Sequence, residues 1–527
     1  MRSLRIVFLA LVPLFLAAVS IAQQPQHLFF RITLGPQFTA PVSGRALIFL
    51  TSGTGAKEID ESPFHPTAVY IAAKEVFSLS PRGSVEIDTD DLAFPEPFSA
   101  LKSGDYQVQA VLDVDHTYDY SGRAPGDLIS DVVSLPAFTP GQGAEPDIVL
   151  NSVVPARPTP PNLPSSFDRD AHQEDFVSPV LSGFFGQPVH MRAWVIVPPG
   201  YEANPHARYP TVYWTHGFGA NLIYAEIFGS RLYQRIVQGK MPPMIWVMLD
   251  ESCPTGTHEF ADSVNNGPWG KALTTEFIPH IEAKYRMDAR PSGRFLQGHS
   301  SGGWATLQLQ VNYPTIFGGT WSTSPDPSDF HDFTGVDLYA PHANIYKRAD
   351  GTPYPLVRDH ANVIGTFQQF ARTEQVLGDY GGQLASFEWV FSPRGSDGRP
   401  LQMFNRETGD IDPAVVAYWR DHYDLAQIVT ANWSQRGRAL RRKIHVFVGT
   451  ADTFYLDGAA HKFDAVLREL NADAHFTYIP DRTHFDLYTI KAVGANAKDD
   501  RMGLFDQIGA EMYAVARPHS HLKPAEK

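Results

Sequence analysis

Beyond residue 190, six short runs are almost continuously apolar instead of alternating: RAWVIV (192–197), TVYW (211–214), MIWVML (244–249), GRFLQ (293–297), KIHVFV (443–448) and HFTYI (475–479). A strand of that composition must be covered on both faces, which is the condition of a mostly parallel sheet with helices on either side. The segments between them supply those helices. ALTTEFIPHIEAKYR (272–286) is one, and in HKFDAVLREL (461–470) Phe463, Val466, Leu467 and Leu470 fall on one face at i, i+3, i+4 and i+7. The sequence therefore predicts an α/β domain.

The preceding part has a different texture. In YQVQAVLDV, Tyr106, Val108, Ala110, Leu112 and Val114 share one face of a strand, with Gln107, Gln109 and Asp113 on the other. HLFFRITL, RALIFL, TAVYIAA and SVEI read as its neighbours, separated by Gly, Pro, Asp and Ser clusters, so residues 27–150 are expected to form an all-β, sandwich-like accessory domain. Asp88, Asp90 and Asp91, or Asp113 and Asp115, have the residue type for calcium but not the spacing of a known loop, and they read as turn carboxylates; no metal is expected. PARPTPPNLPSS (155–166) carries five prolines and marks a linker, placed at 151–175, before the α/β domain at 176–518. Between about 326 and 440 the α/β pattern gives way to an insertion too long for a loop, of the kind that forms a lid or a substrate wall.

Two domains suit a chain of 527 residues. A net charge of −14 leaves no basic face for a phosphate backbone, which argues against a nucleic-acid partner. Residues 1–22 combine two arginines, an apolar run and small residues at Ser20 and Ala22, the pattern of a signal peptide cleaved after Ala22. The mature chain is then expected to be periplasmic or secreted, with no membrane span. Cys253 is the only cysteine, so no intrachain disulfide can form; Pro254 and Gly256 put it in a loop, as a packed thiol.

The chemistry concentrates in QGHSSGG (297–303). Gly298-His299-Ser300-Ser301-Gly302 matches G-x-S-x-G between a strand and a helix, where a sharp turn lifts Ser300 to the carboxyl edge of the sheet. A serine hydroxyl needs an imidazole to take its proton and a carboxylate to hold that imidazole. The order on such a scaffold is Ser, acid, His. After the insertion, VGTAD delivers Asp452 and IPDRTH delivers His484, each from a loop after a buried strand; Asp457, further along the same loop, is the second choice of acid. His445 and His461 fall within a strand and a helix and read as packed residues. An oxyanion site needs two amides: Ser301 behind the nucleophile, and Phe218 or Gly219 from the loop HGFG (216–219), where His216 is read as orienting its own loop.

With VIVPPGYEANPHARYPTVYWTHGFG, TTEFIPHIEAKYR, GRFLQGHSSGG, VGTAD and DRTHF, the stretch from about Arg192 to Leu487 resembles the esterase D or feruloyl-esterase-like branch of the α/β-hydrolases. The resemblance implies a serine ester hydrolase with Ser300, Asp452 and His484 at the triad positions, Phe218 and Ser301 as oxyanion amides, and no cofactor. It implies substrates among small or polysaccharide esters, since members act on acyl groups of plant polysaccharides, siderophores, S-formylglutathione and lipids, and some are acyltransferases. The insertion and the N-terminal β region depart from the family pattern. The expectation is an exported carboxylesterase; an acyltransferase with the same triad, or an idle carbohydrate or cell-surface binding protein, are the alternatives. Trp389, Phe404, Trp419 and Trp433 are candidates either to line a pocket or to pack the insertion.

Overall fold

The computed structural model describes residues 27–144, 146–156, 165–378, 380–492 and 498–519. The expected signal peptide at 1–22 and most of the proline-rich stretch lie outside the described residues.

Nine N-terminal strands, β1 (Phe29–Leu34), β2 (Val42–Ser52), β3 (Tyr70–Leu79), β4 (Ser84–Asp88), β5 (Ala93–Phe94), β6 (Gly104–Asp113), β7 (Leu128–Ser130), β8 (Val133–Phe138) and β9 (Asp147–Val153), form a single sheet in the order β4-β1-β9-β7-β6-β2-β3-β5, with β8 also on β6. The sandwich-like region is thus one sheet rolled around an apolar interior. Phe30, Ile32, Ile48, Val108, Ala110 and Leu112 fill that interior, and its ends meet where Lys74 Nζ donates to the carbonyl of Glu86 at 2.8 Å. The alternation in β6 points Tyr106, Val108, Ala110 and Leu112 inward as the sequence requires. Its other face is buried too: Gln107 and Gln109 accept backbone N–H bonds from Ala56 and Ile59 of the β2–β3 loop at 2.8 and 3.0 Å.

The second sheet contains β10 (Ala171–Val177), β11 (His190–Ile196), β12 (Thr211–Thr215), β13 (Ile245–Leu249), β14 (Arg294–His299), β15 (Gly319–Thr323), β16 (Ile444–Gly449) and β17 (His475–Ile479), in the order β10-β11-β13-β12-β14-β15-β16-β17. Pairing is antiparallel for β10/β11 and β11/β13 and parallel for the rest. This is the mostly parallel sheet that the apolar runs require. β9 continues to Val153 and β10 begins at Ala171, so regular structure enters both ends of the span 151–175 expected as linker, and the sheet starts before residue 176. β10, AHQEDFV, is an edge strand with four consecutive polar residues, His172 to Asp175, which hides it from an apolar-run reading.

Helices cover both faces. α1 (Leu222–Val237) and α9 (Gly503–Ala516) share one core with Trp214, Trp246 and Phe295. On the other face, α2 (Trp269–Lys284, with a π-turn over Leu273–Phe277) packs on Tyr213, Val247 and Leu296. The elbow helix α3 (Ser301–Asn312) and α8 (Leu456–Glu469) lie beside it and join the core of the insertion through Trp304, Leu307, Phe463 and Leu467.

The insertion has structure of its own: a hairpin of strands Pro355–Asp359 and Asn362–Thr366, then α4 (Phe367–Leu377), α5 (Gln383–Phe391), α6 (Pro413–His422) and α7 (Leu425–Leu440). α4 opens with a capping box, Thr366 Oγ1 accepting from Gln369 N and Gln369 Oε1 from Thr366 N. Its last residues, Val376 and Leu377, bury themselves against Leu47, Phe49, Ile71, Ala73 and Val111 on the outer face of the rolled sheet. Arg45 of β2 then caps the helix, donating to the carbonyls of Val376 and Gln375 at 2.9 and 2.8 Å, where a cation opposes the negative end of the helix dipole. The N-terminal sheet and the insertion therefore share one hydrophobic contact.

Candidate active site

Ser300 stands between β14 and α3 with φ 61° and ψ −127°, a conformation that costs a non-glycine residue on the order of 1–3 kcal/mol. Its neighbours hold it there. Ser300 N–H donates to the Thr323 carbonyl, and the Ser300 carbonyl accepts from Trp304 N–H, both at 3.0 Å. The glycines of the motif are steric necessities: a Cβ on Gly298 would lie 2.1 Å from the Gly302 carbonyl oxygen, and one on Gly302 2.2 Å from that of His216.

β16 and β17, neighbours in the sheet, deliver Asp452 and His484. Their loops clasp: Ala451 N–H donates to the Arg482 carbonyl at 3.0 Å, and a Cβ on Gly449 would lie 2.0 Å from the same oxygen. His484 Nδ1 is 3.0 Å from Asp452 Oδ2, and Asp452 Oδ1 accepts from Phe454 N–H at 3.0 Å. Both side chains are buried. Burial alone would raise the acid, but the His484 imidazole and the Phe454 amide outweigh it and hold the Asp452 carboxyl below the usual carboxylate range. The second choice, Asp457, instead pairs with Arg358 at 2.8 Å.

His299, the variable residue of the motif, lies against His484 with ring centroids 4.4 Å apart and its Nδ1 3.3 Å from Thr323 Oγ1. Burial, then the charge of His484, pushes His299 down to about 3, so it stays neutral. Gly217, in the loop after β12, approaches so closely that a Cβ there would meet Ser300 Cβ at 3.0 Å. The next residue is Phe218. Among the described residues, neither Phe218 N–H nor Ser301 N–H is paired with an acceptor. His216 bonds within and beside its own loop, Nδ1 to the Gly217 carbonyl at 2.9 Å and Nε2 accepting Glu251 N–H at 3.1 Å.

A layer of buried acids lies under this loop. Ser301 Oγ donates to Asp326 Oδ2 at 2.6 Å, and burial pushes Asp326 up to about 6. Burial also pushes Glu251 up to about 8 and Glu259, whose carboxyl oxygens have no hydrogen-bond partner among the described residues, well above the usual range. Asp326, directly after β15, was not singled out from the sequence because no motif marks it; only its place after a strand that ends beside Ser300 would have.

Ser300 and Asp326 face a pocket walled by Phe333, Phe367, Phe370, Phe387 and Phe454. The insertion thus supplies most of the wall, through other aromatics than Trp389, Phe404, Trp419 and Trp433. Trp419 is wholly buried, with Nε1 donating to Ser392 Oγ, and Phe404 packs in the insertion core. His445 stacks on Trp321 and His461 on Tyr478, as packed residues. Burial raises the Cys253 thiol to about 11, far from nucleophilic. Asp90 accepts the N–H groups of Leu28 and Ser99, and Asp127, near Asp113 and Asp115, those of Val114 and Ala124: these carboxylates bind turns.

The N-terminal sheet reaches the same site. Tyr118 and Tyr120 pack on Phe218, at 6.3 and 5.8 Å between ring centroids, and Phe64 packs on Phe485, beside His484, at 5.5 Å.

Comparison with known proteins adds the following. Among solved structures, the chain is similar to a ferulic acid esterase (15% identity over 66% of this chain and 97% of the other, TM-score 0.39). It is also similar to the fluorophosphonate-binding serine hydrolase F of Staphylococcus aureus (13%, 66% and 98%, TM-score 0.35) and to an S-formylglutathione hydrolase from Agrobacterium tumefaciens (13%, 66% and 94%, TM-score 0.35). No curated protein matches the sequence. The family described as "Putative esterase" matches residues 187–489, more than half of the chain and the whole span from β11 to the loop of His484. The chain belongs to this esterase family, and it is a serine ester hydrolase with the α/β-hydrolase fold.

Proposed function

We propose that the protein is an exported carboxylesterase that works through an acyl-enzyme on Ser300. The observation that carries this reading is the buried Asp452–His484 pair, 3.0 Å apart, presented at the same sheet edge as a serine held at positive φ. In the reaction, His484 Nε2 takes the proton of Ser300 Oγ as that oxygen adds to the ester carbonyl. Asp452, ionised below neutral pH, fixes the ring through Nδ1 and stabilises the imidazolium. The negative charge that develops on the carbonyl oxygen is taken by the amides of Phe218 and Ser301. The imidazolium then protonates the leaving alcohol. Water, deprotonated by the same imidazole, releases the acid and restores the serine.

The acyl or alcohol part of the substrate occupies the phenylalanine-walled pocket, which suits a small ester or the acylated end of a larger one. Export rests on residues 1–22, and N-terminal sequencing of the protein recovered outside the cytoplasm is expected to begin at Gln23.

The test is labelling by a fluorophosphonate, together with turnover of short-chain aryl esters. The expected result is one label per chain, lost together with turnover in Ser300→Ala. An unlabelled protein with no turnover would leave an idle binding protein as the better account. Adding an acceptor alcohol separates the two outcomes of the acyl-enzyme: hydrolysis yields only the free acid, whereas transfer yields a new ester.

A further inference from the structure

A second, narrow cavity, with room for one small group, lies between the N-terminal region and the insertion. Glu61 and Tyr118 line it on one side, Thr373 and Phe370 of α4 on the other. Phe370 also lines the Ser300 pocket, and Tyr120, which lines the second cavity, donates its hydroxyl to Gln383 Oε1 of the first at 2.6 Å. The two spaces are therefore neighbours across one ring and one hydrogen bond.

Two polar groups in this cavity are buried and, among the described residues, without a well-formed hydrogen bond. Glu61 is 4% exposed and neither carboxyl oxygen has one; Thr373 is 7% exposed and its Oγ1 likewise lacks one. Leaving such a group buried and unsatisfied costs about 1–3 kcal/mol, and more for a charge. Among the described residues no cationic side chain pairs with Glu61, and burial, only partly offset by the Ser62 N–H, pushes its carboxyl up to about 8. The rest of the lining is aromatic or apolar, with Tyr118, Tyr120, Phe370, Pro63 and Pro66. Three acceptor atoms from opposite walls, two of them on an acid that lacks a counter-charge, surrounded by aromatic faces, suit one kind of group. A primary ammonium offers three N–H donors on a single atom, the charge Glu61 lacks, and a cation for the rings.

We infer that this cavity is a subsite for a primary ammonium group of the substrate, bound by Glu61 and Thr373. The inference rests on Ser300 being the nucleophile of the proposed esterase, since it makes the preferred substrate an ester carrying an amine. The N-terminal region, through Glu61, then sets specificity for a reaction performed by the other part of the chain.

Isothermal titration calorimetry with 2-phenylethylammonium and its neutral isostere 2-phenylethanol tests this on the full chain. The ammonium is expected to bind at least tenfold tighter at pH 7, with an apparent enthalpy that changes with the buffer's ionisation heat because Glu61 gives up its proton. Glu61→Gln is expected to abolish both the preference and the buffer dependence, and Thr373→Val to weaken ammonium binding. Equal or better binding of the alcohol, or a preference that survives Glu61→Gln, overturns the subsite. Labelling the same preparation with a fluorophosphonate keeps the two readings apart. A labelled protein without ammonium preference refutes the subsite alone, and ammonium binding without a label refutes the esterase alone.

Discussion

Tyr120 and Gln383, 263 positions apart, are joined by a hydrogen bond of 2.6 Å from the tyrosine hydroxyl to Oε1 of the amide. One residue belongs to the loop between β6 and β7, the other opens α5 and faces the Ser300 pocket. Tyr120→Phe leaves the Gln383 acceptor without its donor, at a cost of about 1 kcal/mol in stability. It also frees a wall of the pocket, so KM for bulky esters is expected to rise more than KM for acetate esters. Chemical denaturation and steady-state kinetics on the two ester classes check this.

The choice between two carboxylates is settled by comparing Asp452→Asn with Asp457→Asn. An amide at 452 can no longer hold the imidazole of His484 in the required tautomer, and kcat is expected to fall on the order of 10³–10⁴-fold. Asp457 faces Arg358, so its replacement is expected to change kcat by less than about tenfold, in line with the loss of a single partly exposed ion pair. Equal losses in the two variants would refute the assignment.

Gly302→Ala places a methyl group 2.2 Å from the His216 carbonyl, where only backbone can yield. The elbow and the loop of Phe218 must separate, at a cost of about 1–3 kcal/mol. Because both proposed amides move, fluorophosphonate labelling is expected to slow more than the loss of stability accounts for. Labelling rates measured well below the melting temperature distinguish the two effects.

Glu251 gives stability a definite pH dependence. Its ordinary value is 4.5 and burial raises it to about 8, so between those limits the folded protein holds a proton that the unfolded chain has released. Rising pH then favours unfolding, by about 1.4 kcal/mol per pH unit for this group, until the folded value is passed. Glu251→Gln removes that slope. Melting temperatures across pH 5 to 9 are expected to show the variant gaining on the parent as pH rises; parallel curves would contradict the buried protonated form.

Much of the candidate site is legible in the sequence because its constraints are local. The glycines at 298 and 302 record backbone contacts shorter than any side chain allows, and Asp452 and His484 each follow an apolar strand by a few residues. Asp326 escapes notice because it follows β15, GTWST, a strand too small and polar to look buried. The packing of Val376 and Leu377 on Phe49 and Val111 leaves no local trace either: the two sides are more than 260 residues apart and each reads as the apolar face of an independent element. For the same reason β6 reads as half-exposed, although the β2–β3 loop covers its glutamines. The single rolled sheet, in place of two, follows from pairings between strands such as β1 and β9 that composition does not encode.

Arg45 holding the tail of α4, over a seam of interlocked leucine, valine and phenylalanine, means that the peptide tether around residues 155–166 is not what keeps the halves of this molecule together. A protease that severed it would produce a nicked but undivided particle, still eluting from a sizing column at the parent volume and parting into two bands only once denatured.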